Sequence, residues 1–418
     1  MERETKNIEY KQTLTQSYLK TVSAFANYGG GKIYFGISDQ GETVGLDDPV
    51  KAALNMENQI NDNIRPHPDF EIEVREDNTV ILSVKKGKDT PYCYRGKAYK
   101  RNDSSTIEVT PFEYKNLVLK GKNMTFDELP AEEANLTFTT FEQIFYERSG
   151  IPTRFPDTWI TLGLYNVESV YNNAALLLSD QNSFPGIDVV FYGENRNIIR
   201  RRERLENKSV IDLIEDCIHL FESEYTYETV DRLYRIVKER ISVQCFREAI
   251  TNAVVHREWQ ISSFIKAEFF PDHVTITSPG GLPDGFGPED YLSDSHISLP
   301  RNTLLAMVFL RLGLIESLGS GIPQIRAVYA SSFLKPEFRI TDNMISVTLP
   351  ELDAVPELTE EQSQIYHLIR QSGSISPSEL QTLTGMTKSM IQRTLKTLLD
   401  LNIVFKTGKV RSVRYKIR

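Results

Sequence analysis

The stretch "CFREAITNAVVHREW", residues 245–259, predicts the most informative helix of this 418-residue chain. Glu248, Asn252 and His256 recur every four residues, so one face of a helix over 243–256 carries a carboxylate, an amide and an imidazole. A carboxylate can orient a water for attack on a phosphoryl group, and an amide oxygen can bind Mg²⁺ beside the phosphates. The same pattern fits a helix with a polar outer face, so the residues that follow must decide between the two interpretations.

Two glycine clusters follow this helix. The first lies in "TITSPGGLPDGFG" (275–287), where a predicted pair of strands ends, and the second, "IESLGSGIPQI" (315–325), opens a predicted helix. Glycine-rich turns let backbone amides approach phosphate closely, and a helix N-terminus adds a favourable partial charge. Ordinary turns explain a single cluster, but the order of polar helix, first cluster and second cluster favours a nucleotide site.

These stretches, with "LPRNTLLAMVFLRLGLIE" (299–316), resemble the divergent branch of the GHKL ATPase superfamily found in bacterial transcriptional regulators. The resemblance implies ATP and Mg²⁺ as ligands, with Glu248 as general base and Asn252 as Mg²⁺ ligand. Most members carry an Asp that binds the adenine amino group, whereas residues 277–281 of this chain contain none. Recognition of adenine therefore stays open, and so does hydrolysis of ATP. The two glycine boxes implied to contact the nucleotide comprise Gly280, Gly281, Gly319 and Gly321.

The N-terminal stretch "ETKNIEYKQ" (4–12) indicates a second candidate site. Strand alternation places Glu9 and Lys11 on one face, Glu4 precedes them, and Asp39 ends the predicted strand "GKIYFGISD". If these carboxylates converge, they can hold a divalent metal, with Glu9 and Asp39 as ligands, and activate water for phosphodiester cleavage. The alternative is a solvated, frayed chain end, which is usual for charged termini.

With "VSAFANYGGGKIYFGISDQGETVGL" (22–46) and "AYKRNDSST" (98–106), this stretch resembles the AlbA-2 domain of Schlafen proteins over most of residues 1–115. The acidic triad with which nucleolytic Schlafens cut RNA corresponds here to Glu4, Glu9 and Asp39. Two functions stay open, because bacterial regulators use this domain to bind nucleic acid, whereas catalytic Schlafens use a duplicated pair of such domains. A homodimer of this chain would supply the second copy.

A basic and aromatic tract within the same segment, "YRGKAYKRNDSST" (94–106), supports nucleic-acid binding. Cationic groups neutralise phosphates, and the interleaved tyrosines can stack on unpaired bases. The tract also fits a strand with a solvated basic face and tyrosines packed beneath it. The candidate contacts of this domain with DNA or RNA are Lys11, Arg95, Lys100 and Arg101.

Residues 357–418 predict three helices and a basic β-hairpin, an arrangement that resembles a winged helix-turn-helix. The segment has ten Lys and Arg against five Asp and Glu, although the whole chain has a net charge of −9, which suggests a polyanionic partner. In such modules the third helix enters the major groove and the wing contacts phosphate, although some winged helices bind protein instead. The implied DNA contacts are Lys388, Gln392, Arg393 and Lys396 on the third helix, and Lys409, Arg411 and Arg414 in the wing.

The chain as a whole predicts a multidomain α/β (α+β) protein. Two apolar runs within residues 136–350, "NNAALLLS" (172–179) and "IDVVFYG" (187–193), predict strands. The expected domains are an AlbA-2 domain (1–120), a linker (121–135), a GHKL-like α/β sandwich (136–350) and the winged helix (357–418).

Composition predicts a cytoplasmic protein without a membrane partner. No apolar run is long enough to span a bilayer, the N-terminus lacks a signal-peptide core, and the three cysteines have neither metal-ligand nor disulfide spacing. The leading interpretation is a homodimeric transcriptional regulator in which ATP modulates DNA binding. A Schlafen-like, metal-dependent endoribonuclease regulated by ATP is the alternative, and an adaptor with a degenerate ATPase half is a third. Activity as a weak ATPase or as a nuclease is left open.

Overall fold

The computed structural model describes residues 3–38, 41–166, 168–231, 234–283, 286–293, 299–315, 319–352, 358–401, 403–408 and 413–417, and of residues 231 and 234 the backbone alone. The chain divides into two compact units, Met1–Leu129 and Pro130–Arg418. None of the described helices combines the length and the apolar character that a membrane crossing requires.

The first unit contains, in chain order, β1 (Ile8–Lys11), α1 (Tyr18–Asn27), β2 (Gly31–Phe35), α2 (Pro49–Asn63), β3 (Ile64–Arg65), β4 (Phe70–Val74), β5 (Val80–Val84), β6 (Cys93–Tyr94), β7 (Lys97–Asn102), β8 (Ser105–Glu108) and α3 (Pro111–Gly121). A 3₁₀ turn, Phe126–Glu128, lies within the predicted linker, and its Asp127 is buried.

Two sheets form from these strands, in the orders β1-β2-β5-β4 and β3-β6-β7-β8. Helix α1 is buried along nearly its whole length, because it contacts both β7 and β5. Its Val22 and Phe25 share one core with Ile33 and Leu82. This core fixes the edge strand β1, which carries Glu9 and Lys11, against β2.

The second unit continues with α4 (Thr139–Ser149), α5 (Asp157–Thr161), α6 (Asn173–Leu178), β9 (Ile187–Tyr192), β10 (Ile199–Leu205), α7 (Val210–Tyr225), β11 (Thr226–Asp231), β12 (Tyr234–Glu239), α8 (Val243–Val255), β13 (Ile265–Phe269), β14 (His273–Pro279), α9 (Pro288–Leu292), α10 (Thr303–Arg311), α11 (Gly321–Val328), a 3₁₀ turn (Tyr329–Ser331), β15 (Glu337–Ile340) and β16 (Met344–Pro350).

A six-stranded sheet, β10-β9-β13-β14-β16-β15, is the centre of this unit. Helices α7 and α8 pack together, and the rings of their Phe221 and Phe246 stack at 4.0 Å between centroids. Phe269 of β13 meets Phe246 edge-on at 5.8 Å, so the apolar faces of both helices rest on one face of the sheet. This packing fixes α8, the helix that carries Glu248 and Asn252.

Residues 172–179 form helix α6, so the predicted strand is wrong, whereas the neighbouring prediction of β9 is confirmed. The side chain of Asn172 accepts a hydrogen bond from the Ala175 backbone N–H at 3.0 Å and caps the helix. The run is rich in Ala and Leu, which favour helices, and every residue of α6 is buried. A short, wholly buried run shows no periodicity that separates a helix from a strand.

The last part of the second unit consists of α12 (Glu360–Ser372), α13 (Pro377–Thr384), α14 (Lys388–Asp400), β17 (Val404–Thr407) and β18 (Arg414–Ile417). The predicted three helices and strand pair are therefore present among the described residues. Thr359, Ser376 and Thr387 cap the three helices by accepting backbone hydrogen bonds. One apolar core joins these elements, built around Ile365, Leu380, Ile391, Leu395 and Tyr415.

Candidate nucleotide-binding site

Helix α8 presents the predicted carboxylate–amide pair at one edge of its buried face. The side chain of Ser242 accepts a hydrogen bond from the Cys245 N–H at 3.3 Å and starts the helix. One turn apart on it, Glu248 and Asn252 bond to each other, with Asn252 Nδ2 donating to Glu248 Oε1 at 2.9 Å. Glu248 is 8% exposed. The predicted spacing therefore does bring the two groups together.

Gly321, the first residue of α11, lies directly against this pair. A Cβ at this position would stand 2.5 Å from Asn252 Nδ2 and still closer to Glu248 Oε1, so a side chain has no room here. The glycine thus lets the N-terminus of α11 reach the carboxylate and the amide. Backbone N–H groups at a helix start attract anions, which makes this end a suitable place for phosphate.

A cavity that is open to solvent lies beside these groups. Its wall includes five predicted residues from three segments, namely Asn252, His256, Gly281, Gly319 and Gly321. Most of the remaining lining is apolar, contributed by Leu282, Pro283, Phe286, Leu299, Ile322 and Ile345. Tyr291 also lines the cavity, and burial raises the pKa of its hydroxyl to about 12. A lining that includes both polar and apolar groups suits a ligand that combines a charged group with a flat ring.

The first glycine cluster serves close chain packing as well as the cavity. Gly280 has φ +105°, and a Cβ there would lie 2.7 Å from the Glu258 Cβ. A Cβ on Gly281 would press on the carbonyl of Asp342. Of the two glycines only Gly281 contributes to the described cavity wall, so the role of Gly280 here is to let the turn pass Glu258.

Arg301 is a cavity residue that the sequence analysis does not single out. Its Nη1 bonds Glu258 Oε2 at 2.9 Å, and its Nη2 donates to the Gly281 carbonyl at 2.7 Å. The arginine therefore ties the glycine turn to the segment before α10. Apart from His256, it is the sole cationic side chain among the described lining residues. A cation just ahead of an apolar helix, within the quoted stretch 299–316, is the signal that could have identified it.

Arg257, next to His256, belongs to the packing of the unit. The residue is fully buried, its Nη2 donates to the Ile261 carbonyl at 3.0 Å, and its guanidinium lies over the Trp259 ring at 4.6 Å. Burial lowers the pKa of Arg257 to about 10. The His256–Arg257 pair thus splits, with the histidine on the cavity wall and the arginine inside the fold.

Comparison with known families agrees with both sequence resemblances. The Schlafen, AlbA_2 family model matches residues 4–110, and the model described as "Putative ATP-dependent DNA helicase recG C-terminal" matches residues 262–349. The chain carries both domains. The second match begins after α8, so Glu248 and Asn252 lie outside the matched residues.

Solved structures also align with this chain, one of them over nearly its whole length. The crystal structure of the DIP2311 protein from Corynebacterium diphtheriae aligns with 99% of this chain and 92% of its own, with 16% identity and a TM-score of 0.47. No curated protein matches this sequence.

In the AlbA_2 domain, Glu9 is surrounded by partners. Its Oε1 contacts Lys11 Nζ at 2.7 Å, while its Oε2 contacts Arg101 Nη1 at 2.5 Å and accepts a hydrogen bond from Thr21 Oγ1 at 2.7 Å. Glu9 is 4% exposed. A divalent ion at this carboxylate would have to displace a cation from it.

The other members of the predicted triad are less defined. Glu4 Oε1 accepts a hydrogen bond from the Tyr10 N–H at 2.9 Å, which holds its carboxylate beside β1. Asp39 lies outside the described residues. Within the described ranges no group of three His, Cys, Asp or Glu side chains is placed to hold a metal ion. Convergence of the triad therefore stays a prediction.

The basic tract of the AlbA_2 domain separates into inward and outward residues. The Arg101 side chain is 5% exposed and bonds Glu9, and the partly buried Lys100 pairs with Glu113. Arg95 is exposed, lies over the Tyr94 ring at 5.2 Å and donates to Gln16 Oε1 at 3.2 Å. The two tyrosines of the tract, Tyr94 and Tyr99, are buried, as is Tyr92 just before it. The packed-tyrosine interpretation therefore accounts for the rings, and Arg95 is the most accessible predicted contact.

Helix α14 places its four predicted contacts on one exposed side. Ile391, Leu395 and Leu398 are buried on the opposite side of the helix. In the part of the chain that the structure describes, none of the four has an ion-pair partner: Lys388, Gln392, Arg393 and Lys396.

The predicted wing residues divide differently. Arg414 Nη2 bonds Glu379 at 2.9 Å and donates to the Ser374 carbonyl at 2.8 Å, which fastens β18 to the start of α13. Lys409 and Arg411 lie outside the described residues.

Proposed function

We propose that this protein is a transcriptional regulator that binds ATP and Mg²⁺ in the cavity beside α8 and α11, and that nucleotide occupancy modulates its binding to DNA. The observation that carries the proposal is the convergence of Asn252, Gly281, Gly319 and Gly321 on one cavity. These residues come from three separate segments, so chance turns do not account for their meeting.

Asn252 suits the Mg²⁺ role. Its amide nitrogen is used in the bond to Glu248, whereas its Oδ1 accepts no hydrogen bond from the described residues. A neutral amide oxygen is a ligand that Mg²⁺ accepts beside phosphate oxygens. Bound there, Mg²⁺ would neutralise part of the phosphate charge, and Glu248, bonded to Asn252, would orient a water.

The remaining cavity groups suit the nucleotide. The start of α11 has no side chain at Gly321, and Gly319 lies just before it on the same cavity wall, so backbone N–H groups there would bind the phosphates. Arg301 adds a positive charge on the same wall. The apolar side chains Leu282, Phe286 and Ile345 provide contact area for the base.

The nucleotide site is tested by the shift of the melting transition with ATP and Mg²⁺, because a ligand that binds only the folded state raises its stability. We expect a shift in the native protein that Asn252→Ala abolishes. Asn55→Ala, on the exposed side of α2, is the matched control and should keep the shift. A native protein without any shift, or an Asn252→Ala variant with the full shift, would contradict the proposal.

The DNA-binding part of the proposal rests on α14. Its exposed Lys388, Arg393 and Lys396 are free to neutralise phosphates, and the helix follows α13 in the order expected of a recognition helix. Coupling requires that ATP bind the DNA-bound and DNA-free forms with different affinities. It is measured as the ratio of DNA dissociation constants with and without ATP. A ratio of one in the native protein would remove the regulatory claim and leave the two binding claims separate.

A further inference from the structure

Tyr291 supplies the only hydroxyl group among the described residues of the cavity wall. It lies on the short helix α9, and Arg326 Nη1 of α11 donates to the Leu292 carbonyl at the end of that helix at 2.7 Å. Helix α9 is thereby tied to α11, whose first residue packs against Asn252. The tyrosine therefore has a defined place on the wall, and it comes from a different segment than the carboxylate–amide pair.

The adenine base presents an amino group to whatever part of the wall it meets. A buried amino group needs an atom that accepts its hydrogen bond. The described part of the wall has no Asp or Glu side chain, so no carboxylate among these residues can accept it. Three side chains of the described wall contain a neutral acceptor atom, namely those of Asn252, His256 and Tyr291, whereas Arg301 only donates.

Two of these three side chains belong with the phosphates. Asn252 and His256 lie one turn apart at the C-terminal end of α8, and the proposed Mg²⁺ at Asn252 places the phosphates beside them. The amino group lies at the far end of ATP from the γ-phosphate, so a separate segment of the wall must meet it. Tyr291 is on such a segment.

The surroundings of the Tyr291 hydroxyl also suit an uncharged base. Burial is the cause that raises the pKa of this hydroxyl, with no contribution from a charged side chain of the described residues. The group is therefore protonated at neutral pH and remote from the charge of Arg301. A phenol has one hydrogen to donate and two lone pairs that accept, so it can keep a protein partner and still bind a ligand.

Building on the proposed ATP site, we propose that the Tyr291 hydroxyl accepts a hydrogen bond from the adenine amino group and so binds the base. The tyrosine ring adds apolar contact area to that of Leu282 and Phe286 on the same wall. The site thus distinguishes ATP from the same nucleotide without its amino group.

Removal of the hydroxyl and removal of the amino group test this contact together. Isothermal titration in Mg²⁺ measures three ligands: ATP, purine riboside triphosphate, which is ATP without its amino group, and inorganic triphosphate. The native protein should bind ATP about tenfold more tightly than purine riboside triphosphate, and Tyr291→Phe should lose about tenfold in affinity for ATP alone. The two losses should not add, because each removes the same hydrogen bond. Inorganic triphosphate has no base, so the native protein and the variant should bind it equally.

Tyr146→Phe is the matched control, because Tyr146 is exposed on α4 and its change should leave all three affinities unaltered. The melting temperature verifies that Tyr291→Phe keeps its fold, and the comparison of the two nucleotides on the native protein depends on no variant.

Three results would overturn the contact and leave the ATP site in place. They are equal affinities of the native protein for ATP and purine riboside triphosphate, full ATP affinity in Tyr291→Phe, and a Tyr291→Phe variant that loses inorganic triphosphate as well. A native protein that binds neither ATP nor inorganic triphosphate would instead refute the proposed function, and this inference with it.

Discussion

Two buried carboxylates, Glu248 in the second unit and Glu9 in the AlbA_2 domain, have different partners. Glu248 receives a hydrogen bond from the amide of Asn252, which keeps its own oxygen for the cavity. Glu9 has both oxygens in contact with cations, Lys11 on one side and Arg101 on the other. The two look alike in sequence, where each is an acid followed by a potential partner within four residues.

The two sites differ in whether a ligand oxygen next to the carboxylate is without a hydrogen bond from the described residues. A divalent ion beside Asn252 finds an oxygen without a hydrogen bond, whereas one at Glu9 must compete with two positive charges. Opposite charges at hydrogen-bond distance in a buried site are costly to separate, because each then stays desolvated without its partner. The cavity is accordingly the better candidate for chemistry, and Glu9 the better candidate for a structural role.

The largest expected effect is that of Glu9→Gln. Removing this charge leaves the Arg101 guanidinium buried without its counter-ion, so the free energy of unfolding of the AlbA_2 domain should fall by roughly 3 kcal/mol. Chemical denaturation with and without Mg²⁺ measures it, and the same loss should appear in both conditions. A loss confined to the Mg²⁺ condition would instead indicate a metal site. Glu71→Gln is the control, because Glu71 pairs with Lys85 at 2.6 Å on the surface and should change stability little.

Gly321→Ala should have the next largest effect. The added Cβ must push apart Glu248 and Asn252, so we expect a loss of about 1–3 kcal/mol in the free energy of unfolding of the second unit. The ATP-induced melting shift should also disappear, because the start of α11 can no longer reach the pair. Gly29→Ala is the control, since a Cβ there meets a neighbour only at 3.7 Å. If Gly321→Ala keeps the full ATP-induced melting shift, then the start of α11 does not contribute to nucleotide binding.

Periodic patterns account for what the sequence could predict. The four-residue recurrence of Glu248 and Asn252 predicts both helix α8 and their mutual contact, since the two are local. Helix α2 is not predicted from the sequence, because only Met56 and Ile60 are buried on it and its apolar stripe is correspondingly thin. The strand predicted over the buried run of α6 is wrong for the opposite reason. A segment whose residues are nearly all apolar has no apolar stripe that would indicate a helix.

The site itself depends on contacts between distant segments. Arg301 bonds Glu258, which lies 43 residues earlier in the chain, and no local pattern reveals that pairing. Likewise Arg101 meets Glu9 across 92 residues, so its burial cannot be read from a tract that has three other basic residues, Arg95, Lys97 and Lys100. Sequence reasoning recovers residue types at a site, whereas the partners that occupy or free them appear only in the fold.

Arg301 gives a smaller effect on ATP binding, which is accompanied by a loss of stability because Glu258 is left buried without its partner. Arg301→Ala removes the positive charge of the cavity wall and the bond to the Gly281 carbonyl, and should weaken ATP binding about tenfold, equal to about 1.4 kcal/mol. Arg301→Lys should recover only part of the loss, because an ammonium group cannot hold Glu258 and the carbonyl in a planar fork. Isothermal titration with ATP and with inorganic triphosphate measures both variants. Arg339→Ala, on exposed β15, is the control, and equal affinities for all the variants would exclude Arg301 from the site.

The smallest effect concerns the salt dependence of DNA binding. It compares basic residues of α14 that have no ion-pair partner among the described residues with Arg414, which has one. Arg393→Ala with Lys396→Ala removes two exposed charges of α14 and should lower the slope of log affinity against log salt by about 0.9 per contact, without changing the melting temperature. Arg414→Ala should do the reverse, because Arg414 already bonds Glu379 and Ser374. Its loss should reduce stability and leave the slope nearly unchanged. If Arg414→Ala instead lowers the slope as much as the α14 pair, then β18 contacts phosphate and the bond to Glu379 opens when DNA binds.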